Sequence, residues 1–188
     1  MLPGTKLGPI PDEIPRLVGE LCTSWAGFEF ETEQAIWGIL GIDHKFGRLI
    51  TWPKDLRQMW QLLLNEATSK HPVDEVEYLK KINNRLTDVM KDRNIVVHGL
   101  IQAFVTSPDA VQPNAIVNDA AIIVVPTWTV FKGEHAGKKF PVSAAAVRII
   151  SNNIEKLSNE LVAFNNRHNY HRGYYSNLPV ETDWPRPL

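Results

Sequence analysis

The pattern that most restricts this chain is a stripe of apolar residues three and four positions apart. Ile14, Leu17, Val18, Leu21, Trp25, Phe28, Ile36, Ile39 and Leu40 follow it through the first forty residues. Such spacing lines one face of a helix, and a strand cannot use it because its faces alternate every second residue. Three further segments repeat the pattern. Leu56, Met59, Trp60, Leu63 and Leu64 follow Trp52-Pro53. Leu79, Ile82, Leu86, Val89, Met90, Val96, Val97 and Leu100 follow Pro72. Val147, Ile150, Ile154, Leu157, Leu161 and Phe164 follow Ser143. The first stripe predicts a helix over residues 12–40, with Pro15 in its first turn and Gly41 at its end. Asp74, Glu75 and Glu77 suit the early turns of the third helix, where acidic groups favour the dipole. Ser143 can cap the fourth helix, and Gly173 is expected to end it. Four such stripes are buried most simply against one another, in a four-helix bundle.

Between the third and fourth stripes the pattern changes. Residues 106–119 are rich in Pro, Asp, Asn and Ser and read as a loop. Residues 121–131 are rich in β-branched and aromatic types, 132–137 form a turn, and 138–142 suit a returning strand. Pro126 assigns part of that hairpin to a sheet edge. The expected fold is therefore mainly α, a four-helix bundle with a β-hairpin inserted over about 102–142. Residues 1–11 read as an arm, 12–173 as a single domain and 174–188 as a docked or flexible extension.

Composition narrows the function classes. A chain of 188 residues with 44% hydrophobic and 22% charged side chains can bury one sizeable core. The net charge of −1 gives no global attraction to nucleic acid or membrane, so a nucleic-acid site would need a local basic cleft. The single cysteine, Cys22, excludes an intrachain disulfide and reads as a core residue. The first residues lack a signal peptide's basic and apolar regions, and no apolar run approaches the ~18 residues of a membrane span. A cytoplasmic protein is expected.

The chemistry points to Lys91-Asp92-Arg93-Asn94-Ile95-Val96-Val97-His98-Gly99. At ~100° per residue, Arg93 falls inside the arc of Leu79, Ile82, Leu86, Val89, Val97 and Leu100. A charge on a buried face is costly unless compensated. His98 lies about 140° away, on a face with Thr87, Lys91 and Asn94. Asn94 and His98 are four apart and can touch, and the long Arg93 side chain can reach the same space. On the first helix Glu29 falls within the apolar arc, about 40° from Trp25. Glu29 and Arg93 are then two in-face charges of opposite sign. Glu29 is expected to orient Arg93, the alternative being a purely structural buried ion pair.

Arg93-Asn94-Ile95-Val96-Val97-His98 resembles the R-x4–6-H motif of the HEPN superfamily, the higher-eukaryote and prokaryote nucleotide-binding domains. The resemblance covers roughly residues 12–170, in helix order, motif position and the hairpin before the last helix. Trp25-x3-Glu29 also looks like that family. Many members are metal-independent endoribonucleases of toxin–antitoxin or phage-defence systems, and work as homodimers whose two motifs share one cleft. The resemblance implies Arg93 and His98 as catalytic residues, Asn94 as their support, RNA as substrate and no cofactor. It also implies a possible antitoxin partner such as a nucleotidyltransferase-like protein. Its alternative is a non-catalytic module binding nucleotide or protein. The long 101–142 insertion departs from compact toxin members.

The residue types suit that chemistry. A ribose 2′-hydroxyl attacking the adjacent phosphate needs a proton acceptor near neutral pH, which His supplies. The developing phosphorane charge needs a fork of donors, which Arg supplies. A second group must protonate the leaving oxygen, and a two-fold dimer doubles the inventory. Elsewhere, His44 and His71 sit in connections and His135 in the hairpin turn, and all three read as surface residues. Arg167, His168, His171 and Arg172 lie near Tyr170 and Tyr174. This cluster can hold a phosphate backbone with stacked bases, or simply favour the helix dipole. No metal-ligand spacing stands out.

Overall fold

The computed structural model describes residues 12–106, 116–118, 122–130, 139–141 and 143–170. Among them the chain is mainly helical. Five helices are present: α1 (Glu13–Leu40), α2 (His44–Thr51), α3 (Leu56–Lys70), α4 (Val73–His98) and α5 (Ala144–His168). Four strands stand between α4 and α5: β1 (Gly99–Thr106), β2 (Ile116–Asn118), β3 (Ile122–Val130) and β4 (Lys139–Pro141). The expected arm 1–11 and extension 174–188 lie outside the described residues, as do His135, His171, Arg172 and Gly173.

The helix ends follow from local chemistry. Gly41 takes a left-handed φ of 67°. Its N–H bonds Gly38 O, and the Ile42 N–H bonds Trp37 O, the paired pattern that closes a helix. Asp43 then caps α2, accepting from the N–H groups of Lys45 and Phe46. α2 replaces an expected connection, since its eight residues carry no sustained stripe. Asp55 and Gln58 form a reciprocal capping box on α3. Ser143 Oγ accepts from the Ala146 N–H and caps α5. That helix ends at His168, short of Gly173, because Asn169 takes the left-handed position with φ 59°. The N–H groups of Asn169 and Tyr170 close it on Asn166 O and Asn165 O.

α4 also stops earlier than its stripe suggests. Gly99 begins β1, so Leu100 belongs to a strand and not to the helical arc. β3 is central: β1 pairs it antiparallel from Gly99↔Val130 to Thr106↔Ile123. On its other side β2 pairs residues 122–124 and β4 pairs residues 127–129. Part of the expected loop 106–119 is thus strand. Pro126, expected at an edge, sits on the central strand where neither β2 nor β4 pairs, so its missing N–H leaves no gap in those two ladders.

The chain forms two compact units. The first comprises 1–28 and 83–157, the second 29–82 and 158–188. The first buries Leu17, Leu21, Trp25 and Phe28 of α1, Leu86, Val89 and Val96 of α4, and Val147, Ile154 and Leu157 of α5. The second buries Ile36 and Trp37, Trp60 and Leu63, Leu79 and Ile82, and Leu161 and Phe164. Each fully buried Leu, Ile or Phe contributes about 1.5–3 kcal/mol. Two polar side chains of the second unit pair across elements. Thr51 donates to Glu33 at 2.8 Å, and Asn165 donates to Glu31 Oε2 at 2.9 Å and to Glu31 O at 3.0 Å.

Candidate functional site

In the first unit, Arg93, Asn94 and His98 lie in the last two turns of α4. Asn94 and His98 are exposed and Arg93 is half-buried. The Arg93 guanidinium stands 5.0 Å from the centre of the Trp25 ring, itself buried in α1. This places a cation on an aromatic face, an attraction of about 0.5–2 kcal/mol. Arg93 Nη1 donates to Asn94 Oδ1 at 3.1 Å and approaches His98 Nε2 at 3.4 Å. A guanidinium only donates, so in any hydrogen bond between the two His98 Nε2 is the acceptor. Arg93 Nε is buried with no hydrogen-bond partner, a penalty of order 1–3 kcal/mol. Stacking on Trp25 offsets part of it. Glu29, the expected orienting carboxylate, is half-buried on α1 and belongs to the second unit.

The second unit holds a cluster whose histidines are not expected together from the sequence. Pro72 forces the preceding residue out of the helical region, and His71 accordingly caps α3 in an extended conformation. Pro72 also opens α4, whose first turn brings Glu75 back to His71. His71 Nδ1 donates to Glu75 Oε2 at 2.7 Å. His168, at the end of α5, donates through Nε2 to Glu75 Oε1 at 3.1 Å. The Tyr170 hydroxyl reaches His71 Nε2 at 2.7 Å from the other side. Expected on the surface, His71 instead has a side chain only 7% exposed. Glu75 is 12% and His168 21% exposed. Phe164 backs the two imidazoles, with ring centres 5.5 Å from His71 and 4.8 Å from His168.

The electrostatics follow the geometry. Burial pushes the Glu75 carboxyl up, but the His71 hydrogen bond and the positive charge of both histidines outweigh it. Glu75 is held below the usual carboxylate range. Burial pushes the Tyr170 phenol up, and the Glu75 charge adds to that. Arg167, expected to meet RNA, lies with Nη1 3.6 Å from Glu75 Oε1 and remains 58% exposed. His168 and Tyr170 therefore serve the Glu75 cluster, not the free basic patch the sequence suggested.

His168 and Tyr170 also line a cavity of about 430 Å³, with Gln34, Trp37, Gly38, Asp43, His44 and Asn169. His44, expected on the surface, is half-buried at the start of α2. Gln34 is 3% exposed, and its Nε2 has no hydrogen-bond partner. Gly38 lets the Tyr170 ring lie directly against α1, since a Cβ there would overlap that ring. The signal for the cluster was the i, i+4 pair His71 and Glu75 around Pro72. Nothing in the sequence pointed from there to His168, 93 residues beyond Glu75.

No known protein family, curated protein or solved structure matches the chain. No helix among the described residues is long and apolar enough to cross a membrane.

Proposed function

We propose that this chain is a HEPN-type endoribonuclease that cuts RNA without a metal ion. In this reading the helices and strands form a HEPN-like four-helix bundle with the hairpin inserted before the last helix. The observation that carries it is the Arg93 guanidinium beside the accepting Nε2 of an exposed His98. An accepting imidazole nitrogen can take the proton of a ribose 2′-hydroxyl. A donor fork next to it can hold the phosphate that the hydroxyl attacks. Asn94 keeps one guanidinium nitrogen turned to that face. In this reading a homodimer supplies the second motif for leaving-group protonation. Arg167, His171 and Arg172 are proposed to meet the RNA backbone, and a nucleotidyltransferase-like antitoxin is the proposed partner of a toxin or phage-defence role.

The test is cleavage of a mixed RNA in EDTA by the purified full chain. Products should end in 2′,3′-cyclic phosphate, and His98→Ala should abolish them while the helical circular dichroism stays unchanged. Equal cleavage by wild type and variant overturns the proposal. RNA or nucleotide binding without cleavage would favour the non-catalytic module.

A further inference from the structure

We propose that His71, Glu75 and His168 form a binding site for one divalent transition-metal ion of the zinc type. The site does not depend on the ribonuclease reading. Three elements each deliver one donor: the cap of α3, the first turn of α4 and the end of α5. The donor atoms all lie within 4.8 Å of one another. An ion bound tetrahedrally at about 2.0–2.1 Å holds its ligand atoms about 3.3 Å apart. The two nitrogens now stand 2.7 and 3.1 Å from the carboxylate oxygens. These two contacts open by roughly 0.2–0.6 Å to admit the ion, and donor atoms lying up to 4.8 Å apart close toward about 3.3 Å around it.

The donor chemistry selects the ion. Two imidazole nitrogens and one carboxylate oxygen suit zinc or cobalt. Calcium and magnesium prefer oxygen ligands throughout. A ligating histidine commonly donates its other ring N–H to a fixed partner, which sets the tautomer. Tyr170 is that partner, with its hydroxyl 2.7 Å from His71 Nε2. Metal on Nδ1 moves the ring proton to Nε2, and the tyrosine oxygen accepts it there. Packing on Phe164 holds both rings in place. His168 also lines the 430 Å³ cavity, which offers an entry path and room for a non-protein ligand. The Arg167 guanidinium competes for Glu75 at 3.6 Å, but its side chain is 58% exposed and can turn into solvent.

The competing account is a hydrogen-bonded cluster that only ties three helices together. Cobalt separates the two. The full chain, stripped with chelator and then dialysed, is titrated with Co²⁺ and followed by visible absorption. One equivalent should produce the intense bands of low-coordinate cobalt, and one equivalent of Zn²⁺ should remove them. Glu75→Gln and His168→Gln keep volume and hydrogen-bonding capacity, and each should weaken Co²⁺ binding by more than roughly a hundredfold. Tyr170→Phe should weaken it by roughly tenfold to a hundredfold. Absence of bands in the folded wild type overturns the proposal. So do bands of equal strength in both glutamine variants. Binding does not involve Arg93 or His98, so its loss leaves the ribonuclease reading standing, and a failed cleavage assay leaves the metal site standing.

Discussion

Arg93 and His98 meet along a single helix, whereas His71, Glu75 and His168 come from three. Five positions separate the first pair, about 140° round one helix, and the long Arg93 side chain spans that angle. In the second cluster only His71 and Glu75 are neighbours in sequence, and His168 joins through tertiary packing. Exposure differs as well. His98 and Asn94 face solvent, while His71 is nearly covered. A site built along one helix can present its groups to a large substrate. A site built from three helices holds a small, enclosed point, suited to a single ion.

The sharpest break between the two regions is functional. On the proposed ribonuclease reading, His98→Ala should lower RNA cleavage by about 10²–10⁴-fold, the usual share of a general base. Glu75→Gln should leave that rate unchanged. Equal losses in both variants would erase the distinction. The next effect is on packing. Phe164 is fully buried behind both histidines. Phe164→Ala should cost about 3–5 kcal/mol in urea unfolding and abolish cobalt binding by loosening the rings. Unchanged cobalt bands would show that the rings are held by their hydrogen bonds alone.

Gly38→Ala probes how closely α1 and Tyr170 approach. The added Cβ overlaps the ring where it joins its backbone, so rotation of a distant tip cannot relieve it. A loss of about 1–3 kcal/mol is expected, with a changed Tyr170 environment in NMR. For the first region, a double-mutant cycle of Trp25→Leu and Arg93→Met should give a coupling of about 0.5–2 kcal/mol. A coupling near zero would mean the ring only packs beside the guanidinium. Smallest is Tyr170→Phe in the metal-free protein, about 0.5–1.5 kcal/mol for one lost hydrogen bond.

Legibility followed the range of the interaction. The apolar stripes located α1, α3, α4 and α5, because burial of one helical face repeats every three to four residues. α2 escaped because Asp43 caps a segment too short to show a period, and its Phe46 and Leu49 point outward. α5 ended early because Asn169 took the left-handed turn expected of Gly173. Arg93 stood out as a charge on an apolar arc. Its place on the Trp25 face did not, because helical angles on one element say nothing about the distance to another.

The sequence by itself determined that this chain is mainly helical and that Arg93, Asn94 and His98 share one end of one helix. Those outcomes depend on spacing along the backbone, which a helix converts directly into direction. Tertiary structure alone decided that the His71 side chain is nearly covered, that Pro72 and the Asn169 turn aim His71 and Tyr170 at each other, and that His168 closes on Glu75. The physical reason is that a carboxylate enclosed by two imidazoles and a phenol exists only after α3, α4 and α5 have packed. No local pattern encodes a distance that three separate helices must agree upon.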